Sequence, residues 1–251
     1  QVARSHGSYL FDERGRRYID FLTGWNVGNF GWGNREIKAA MRRFSGPEYV
    51  YPHYRYKPWT ELARLLAGIA PGKLRQSFRA TGGTEAVELA LQIAAVYTKR
   101  HKFVSIANSY HGNSLATLSL GAPDNRRTPK NLLPNCRKLQ PPLDGKAVAR
   151  VERLLKGKDV AAFIMEPVIL NLGVLIPEQE FMQALRELCT KYGTLLVLDE
   201  VATGFGRTGT WFGLEHWDIE PDIMQFAKGI TSGYVPLGGV GVSDTVRDVI
   251  N

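Results

Sequence analysis

Residues 194–200 read TLLVLDE and residues 221–228 read PDIMQFAK. Each is a short, continuous apolar run that ends on a charged side chain. Runs of this length without polar alternation read as strands buried on both faces. DVAAFIMEP at 159–167 has the same form, and KFVSIA at 102–107 is a shorter β-rich run. Helical periodicity fills the spaces between them. In TGGTEAVELALQIAAVYTKR (81–100), Val87, Ala90, Leu91 and Ala94 share one face. Across 178–192, Phe181, Leu185, Leu188 and Tyr192 do the same, and Gly193 ends the helix. Apolar strands alternating with helices predict an α/β chain with a mostly parallel sheet and helices on both faces.

Working outward, SYLFDERGRRYIDFLT (8–23) predicts a hairpin, with Gly15 in the turn between two apolar-aromatic runs. A glycine-punctuated loop, GWNVGNFGWGN, follows and carries Trp25 and Trp32. Helices are expected over 35–44 and 58–69, separated by the aromatic, proline-bearing PEYVYPHYRYKP. That segment suggests a boundary, with residues 1–55 forming an N-terminal small-domain segment and 56–251 the main domain. The polar, proline-rich stretch 122–145 reads as an excursion over the surface.

Composition narrows the function classes. Of the 251 residues, 44% are hydrophobic and 22% charged, ordinary values for a globular chain. The net charge of +8 is spread over pairs such as Arg42-Arg43 and Arg126-Arg127. It forms no basic stripe with interleaved aromatics, which argues against generic nucleic-acid binding and for anionic small ligands. Cys136 and Cys189 stand in unrelated contexts without metal-ligand spacing. No apolar run reaches membrane-spanning length, and QVARSHGSYLFDERG has no signal-peptide core. The expectation is a cytoplasmic protein with no metal and no membrane partner.

Chemistry-bearing residues fall at the predicted strand ends, where parallel sheets bind ligands. Glu166 closes AAFIME, Asp199 closes LLVLD, Lys228 closes IMQFAK, and Tyr110-His111-Gly112 follows KFVSIA. A lysine there, with a glycine directly behind it, is either a snorkelling surface charge or an amine kept partly dry to attack a carbonyl. Asp199 is either a structural carboxylate or the partner of a permanent cation. Together they match the two demands of pyridoxal phosphate, a lysine for the aldehyde and a carboxylate for the pyridine nitrogen. Thr81-Gly82-Gly83-Thr84 opens a helix and could face a phosphate with its free N–H groups, or serve as a plain cap. It matches neither the P-loop nor the dinucleotide fingerprint.

TGGTEAVELAL, SYHG, MEP, LVLDEVATGFGRTG and FAKGITSGYVPLGG occur in this order. So arranged, the chain resembles the class III pyridoxal-phosphate-dependent aminotransferases, fold type I enzymes that include many omega-aminotransferases. The resemblance implies that Lys228 carries the cofactor as a Schiff base and shuttles the proton. It implies that Asp199 pairs with the pyridine nitrogen, that Val201 packs beneath the ring, and that Tyr110 stacks on the other face with His111 nearby. Gly83 and Thr84 would hold the phosphate, and Glu166 would fix the polar network on the Asp199 side. A homodimer with a shared active site is also implied.

Two features depart from the family pattern. Glu166-Pro167 continues as Val168-Ile169-Leu170-Asn171, whereas many relatives have Gln-Gly-Glu after the Glu-Pro pair. Asn171 thus stands where ornithine-type members place a glutamate that pairs with a gating arginine. The sequence also stops before the family's C-terminal small domain, so the expectation is a shortened chain with that domain only partly present. The activity implied is transfer of an amino group from an amine or omega-amino acid to a 2-oxo acid, with Trp25 as a substrate-pocket wall or an anchor. A racemase or aminomutase would use the same residues, and a non-catalytic cofactor-binding or dimer-partner protein is the alternative outside enzymes.

Overall fold

The computed structural model describes residues 1–51, 53–121 and 132–247. At the N-terminus β1 (Val2–His6), β2 (Tyr9–Asp12) and β3 (Arg17–Ile19) form an antiparallel three-stranded sheet. The expected hairpin is β2–β3. Its turn is fixed by the Asp12 carboxylate, which accepts the Arg14 and Arg16 N–H groups at 2.9 Å each. Gly15 supplies the positive φ of 76°. β1 was not legible in the sequence, because VARSH is polar and wholly exposed.

The main sheet has seven strands: β4 (Leu74–Ala80), β5 (Lys102–Ile106), β6 (Cys136–Leu139), β7 (Val160–Met165), β8 (Leu195–Asp199), β9 (Ile223–Phe226) and β10 (Gly238–Ser243). Their order across the sheet is β4-β10-β9-β8-β7-β5-β6. β10 runs antiparallel to both neighbours, and β5 to β9 pair in parallel, including β5 with β6. The mostly parallel sheet is therefore as expected, with one reversed strand. β7, β8 and β9 are buried at every residue, which explains their largely apolar sequences; Gln225 in β9 and Asp199 at the end of β8 are the polar exceptions.

The surface excursion expected over 122–145 needs correction. Residues 122–131 lie outside the described residues, and Cys136–Leu139 is the edge strand β6. CRKL carries too few apolar residues to announce a strand; pairing with β5 makes it one. β4 and β10 were also missed. LRQSFRA is polar because β4 is the opposite edge, and GGVGVS in β10 is glycine-rich because space is short: a Cβ on Gly239 would lie 2.8 Å from the Phe226 ring.

Helices cover both faces. The helix Gly83–Thr98 buries Ala86, Val87, Ala90, Leu91, Ile93 and Ala94 against Val197, Ile223, Val240 and Val242 on one face. On the other, the helix Gln179–Tyr192 sets Phe181, Met182 and Leu185 against Phe163, Leu196 and Leu198. Gly193, with φ 62°, ends that helix as its sequence suggested. The helices Arg35–Arg43 and Lys57–Ile69 match expectation within a residue or so at each end. Among the described residues no helix is long and apolar enough to cross a membrane.

β9, β8, β7 and β5 are consecutive in the sheet. Their carboxyl ends therefore meet, and the residues that follow each strand converge on one place. Phe163, fully buried on β7 at the centre of this sheet, tests how far the site depends on its floor. Phe163→Ala is expected to cost about 3–5 kcal/mol in urea unfolding.

Candidate active site

A cleft of about 500 Å³ opens at these four strand ends. Asp199 is the last residue of β8 and only 3% exposed. Its Oδ2 lies 2.6 Å from His111 Nδ1, and its Oδ1 accepts the Val201 N–H at 3.1 Å. Glu166 follows β7, equally buried, and accepts the N–H groups of Tyr110 at 3.4 Å and Leu170 at 3.5 Å. Burial pushes the Glu166 carboxyl up to about 7; the nearby His111 opposes this and the Asp199 charge adds to it.

Lys228 does not close β9 as the sequence suggested. The strand stops at Phe226, and Lys228 opens a short 3-10 turn with φ 45°. A left-handed conformation at a non-glycine residue costs on the order of 1–3 kcal/mol and is held only by its surroundings. The glycine behind it is one such constraint: a Cβ on Gly229 would lie 2.7 Å from Asn29 Nδ2 and 3.0 Å from Phe205 Cβ. Lys228 is mostly buried, and desolvation lowers its pKa. Asp199 and Glu166 pull the other way, and Arg207 reinforces the lowering. The result is an amine that sheds its proton more readily than a surface lysine.

One wall of the cleft is the start of the helix Gly83–Thr98. Gly82, its N-cap, is extended, makes no side-chain cap and has nothing within 4 Å of an added Cβ. Side chains are excluded by close approach on either side of it. A Cβ on Gly83 would meet Val201 Cγ1 at 3.0 Å, and one on Gly112 would meet Thr84 Oγ1 at 2.5 Å. The first turn has no capping side chain and lies beside the Thr84 hydroxyl, and helix N–H groups of this kind attract anions. Gly83, Thr84, Tyr110, His111, Glu166, Val201 and Lys228 thus all line the cleft with Asp199, as does Trp25.

Trp25 stands at the mouth, 67% exposed, in an irregular turn with φ 72°. That turn is pinned from below. Asp20 accepts the Leu22 and Thr23 N–H groups at 3.1 and 2.8 Å and the Trp32 indole N–H at 2.8 Å. Asn29 Nδ2 donates to the Phe205 carbonyl at 2.8 Å, and Phe30 N–H donates to Ser232 Oγ at 3.0 Å.

Sequence reading passed over three residues here. Asp20 holds the Trp25 turn. Ser109, fully buried, contacts His111. Glu200, also fully buried, accepts the Thr203 hydroxyl and the Gly213 and Leu214 N–H groups at 2.8 and 2.7 Å. Burial drives the Glu200 carboxyl up to about 7 against the donors on Thr203, Leu214 and Gly213. A strand-end Asp-Glu pair was the available signal for Glu200, and Ser109 opens the SYHG motif; Asp20 had none. Among the described residues no cluster of His, Cys, Asp and Glu could hold a metal ion.

Fold and cleft together define an α/β protein whose buried carboxylates, lysine and helix N-terminus meet in one cleft at the ends of parallel strands. Residues 1–251 match the aminotransferase class-III family. The chain belongs to that family, and its fold is that of the pyridoxal-phosphate-dependent transaminases. It superposes on a transaminase from the marine bacterium Virgibacillus with a TM-score of 0.93 and 35% identity, covering 99% of this chain and 60% of that one. An (S)-enantioselective omega-transaminase from Thermomicrobium roseum gives 0.90 and 38%, covering 99% and 61%. A taurine:2-oxoglutarate aminotransferase from Bifidobacterium kashiwanohense, in complex with PLP and glutamate, gives 0.90 and 32%, covering 98% and 60%. The chain thus spans about three fifths of the length of these relatives.

The raised Glu166 carboxyl has a measurable consequence. It binds a proton more tightly when folded than at its ordinary value of 4.5. Its stabilising contribution is therefore complete below about pH 4.5 and lost as pH rises through about 7. Unfolding free energies measured across this window should fall for the wild type. Glu166→Gln should flatten the slope in part, leaving the share due to Glu200.

Proposed function

We propose that the protein is a pyridoxal-phosphate-dependent aminotransferase that moves an amino group from an amine or omega-amino acid to a 2-oxo acid. The observation that supports this most directly is Lys228. A mostly buried amine of lowered pKa shares one cleft with two buried carboxylates and an open helix N-terminus. The residues present fit the cofactor. Its phosphate would be held at Gly83 and Thr84, its pyridine nitrogen by Asp199, and its ring by contact with Val201 and Tyr110, all of which line the cleft.

When bound, the cofactor supplies an aldehyde that a lysine amine can capture and a ring that withdraws electrons from the bonds of the reacting carbon. The protein's own residues do the rest. Asp199, fixed by His111 and the Val201 N–H, keeps its carboxylate oriented and can hold a proton at a ring nitrogen. Lys228 Nζ, as a neutral amine, would be able to take a proton from a substrate carbon and give it back within the cleft. Low pKa favours the neutral form that this requires. Glu166 and the Tyr110 N–H brace the same wall. Trp25 narrows the mouth and is the candidate contact for the substrate's side group.

The relatives' names point to amines and 2-oxo acids in general, and residues 1–55 and 56–251 are proposed as small-domain segment and cofactor-binding domain. A dimer is proposed as well. Tyr51 and Tyr54 pack edge to face, 5.5 Å between centroids, yet both are more than half exposed. They adjoin a second cleft of about 820 Å³ whose lining includes Tyr56, Trp59 and Arg79. Large aromatic rings left wet beside such a cleft suit a subunit interface.

Borohydride reduction in the presence of pyridoxal phosphate, followed by peptide mapping, should place the label on Lys228. A label on Lys191 or Lys99 instead removes Lys228 from this role. Asp199→Asn should keep the label yet slow amino transfer by roughly 100-fold or more, the scale of a lost electrostatic partner. A substrate that is isomerised while retaining its amino group would mark a racemase or aminomutase. The double change Tyr51→Ala and Tyr54→Ala is expected to lower both dimer content in sedimentation and cofactor retention; a dimer of unchanged strength would contradict the interface.

A further inference from the structure

Ser109 lies between the end of β5 and Tyr110, with no exposure to solvent. Its hydroxyl makes two contacts: the Ile106 carbonyl at 2.8 Å and His111 Nε2 at 3.1 Å. The other ring nitrogen, Nδ1, lies 2.6 Å from Asp199 Oδ2. A serine hydroxyl has one proton and two lone pairs, whereas a carbonyl oxygen can only accept. Were the proton turned to His111, two oxygen acceptors would face each other at 2.8 Å with nothing between them. The proton therefore belongs to the Ile106 contact, and Nε2 must bring its own.

Nδ1 and Asp199 Oδ2 are likewise too close to meet as two bare lone pairs. A second proton bridges them. We infer that Ser109 is a positioning residue: as an acceptor for Nε2–H it sets the His111 ring orientation and keeps a further proton between Nδ1 and Asp199. The hydrogen-bond chain then diverges at His111: Nε2–H and the Ser109 hydroxyl point toward the Ile106 carbonyl, and the proton on Nδ1 points toward Asp199. Remove the Ser109 acceptor and the buried Nε2–H has no partner, a penalty that is avoided if the proton is absent. His111 would keep only Nδ1–H on Asp199, and the His111–Asp199 pair would carry one proton fewer.

Ser109 opens the SYHG motif, but the motif does not show that its hydroxyl meets His111. Its effect on chemistry at a ring nitrogen rests on the aminotransferase reading, because it acts through Asp199. The hydrogen-bond chain itself stands without any cofactor.

Nitrogen-15 NMR of histidine-labelled protein, with the His111 signals assigned by their loss in His111→Gln, tests this. In the wild type without pyridoxal phosphate, both ring nitrogens of His111 are expected to carry protons. Ser109→Ala should abolish the Nε2 proton while preserving the one on Nδ1, and Ser109→Thr, which restores a hydroxyl, should bring it back. If the alanine variant fails to fold, Ser109→Cys keeps the volume with a far weaker acceptor and should shift the same signal. An unprotonated Nε2 in the wild type, or a proton kept there in Ser109→Ala and Ser109→Cys, overturns the inference. Failure of the aminotransferase reading would show separately, as wild-type protein that gains no visible absorption when pyridoxal phosphate is added.

Discussion

The short contact between Asp199 and His111 is the constraint around which this site is built. A carboxylate with almost no solvent needs partners on both oxygens, and here one is the imidazole and the other the Val201 N–H. Those partners come from β5 and β8, which are not adjacent; β7 lies between them. The interaction therefore ties three strands at their carboxyl ends. It also places Glu166, which ends β7, in the middle of the polar floor, where burial and its neighbours decide its proton.

Lys228 faces this floor across a strained backbone. Its left-handed φ is held because Gly229 lets Asn29 and Phe205 pack against the turn. Asn29 belongs to the N-terminal segment, so that segment both braces the lysine and carries Trp25 to the mouth. Glu200 secures the other side, gathering the Thr203 hydroxyl and two backbone N–H groups of the loop that contains Phe205. Strain at the lysine, close packing at the glycine and a satisfied buried carboxylate act as one mechanical unit. Desolvation of the amine follows from the same packing.

Several elements were legible because their residues face one environment along their whole length. β7, β8 and β9 are largely apolar, with Gln225 and Asp199 as the exceptions, since both faces are covered, and the helix Gly83–Thr98 shows its stripe since one face is. β1, β4 and β6 were not, because edge and surface strands owe their form to a neighbour rather than to their composition. The candidate site residues were readable as strand-end charges and a glycine-rich helix start. The contacts of Ser109 and Asp20 were not readable, although Ser109 opens SYHG, since a serine or aspartate in a loop gains its meaning only from what it touches.

The sequence by itself determined the α/β class, the alternation that makes the sheet mostly parallel, and the identities of the lysine and carboxylates at or just beyond the ends of its strands. These are local properties, fixed by hydrophobic period and residue chemistry. Tertiary structure alone decided that β9, β8, β7 and β5 lie side by side, so that charges distant in the chain share one cleft. It also decided which protons they hold. Burial depth, the donors aimed at each oxygen and the left-handed turn at Lys228 arise from packing between segments far apart in sequence, and no local pattern encodes them.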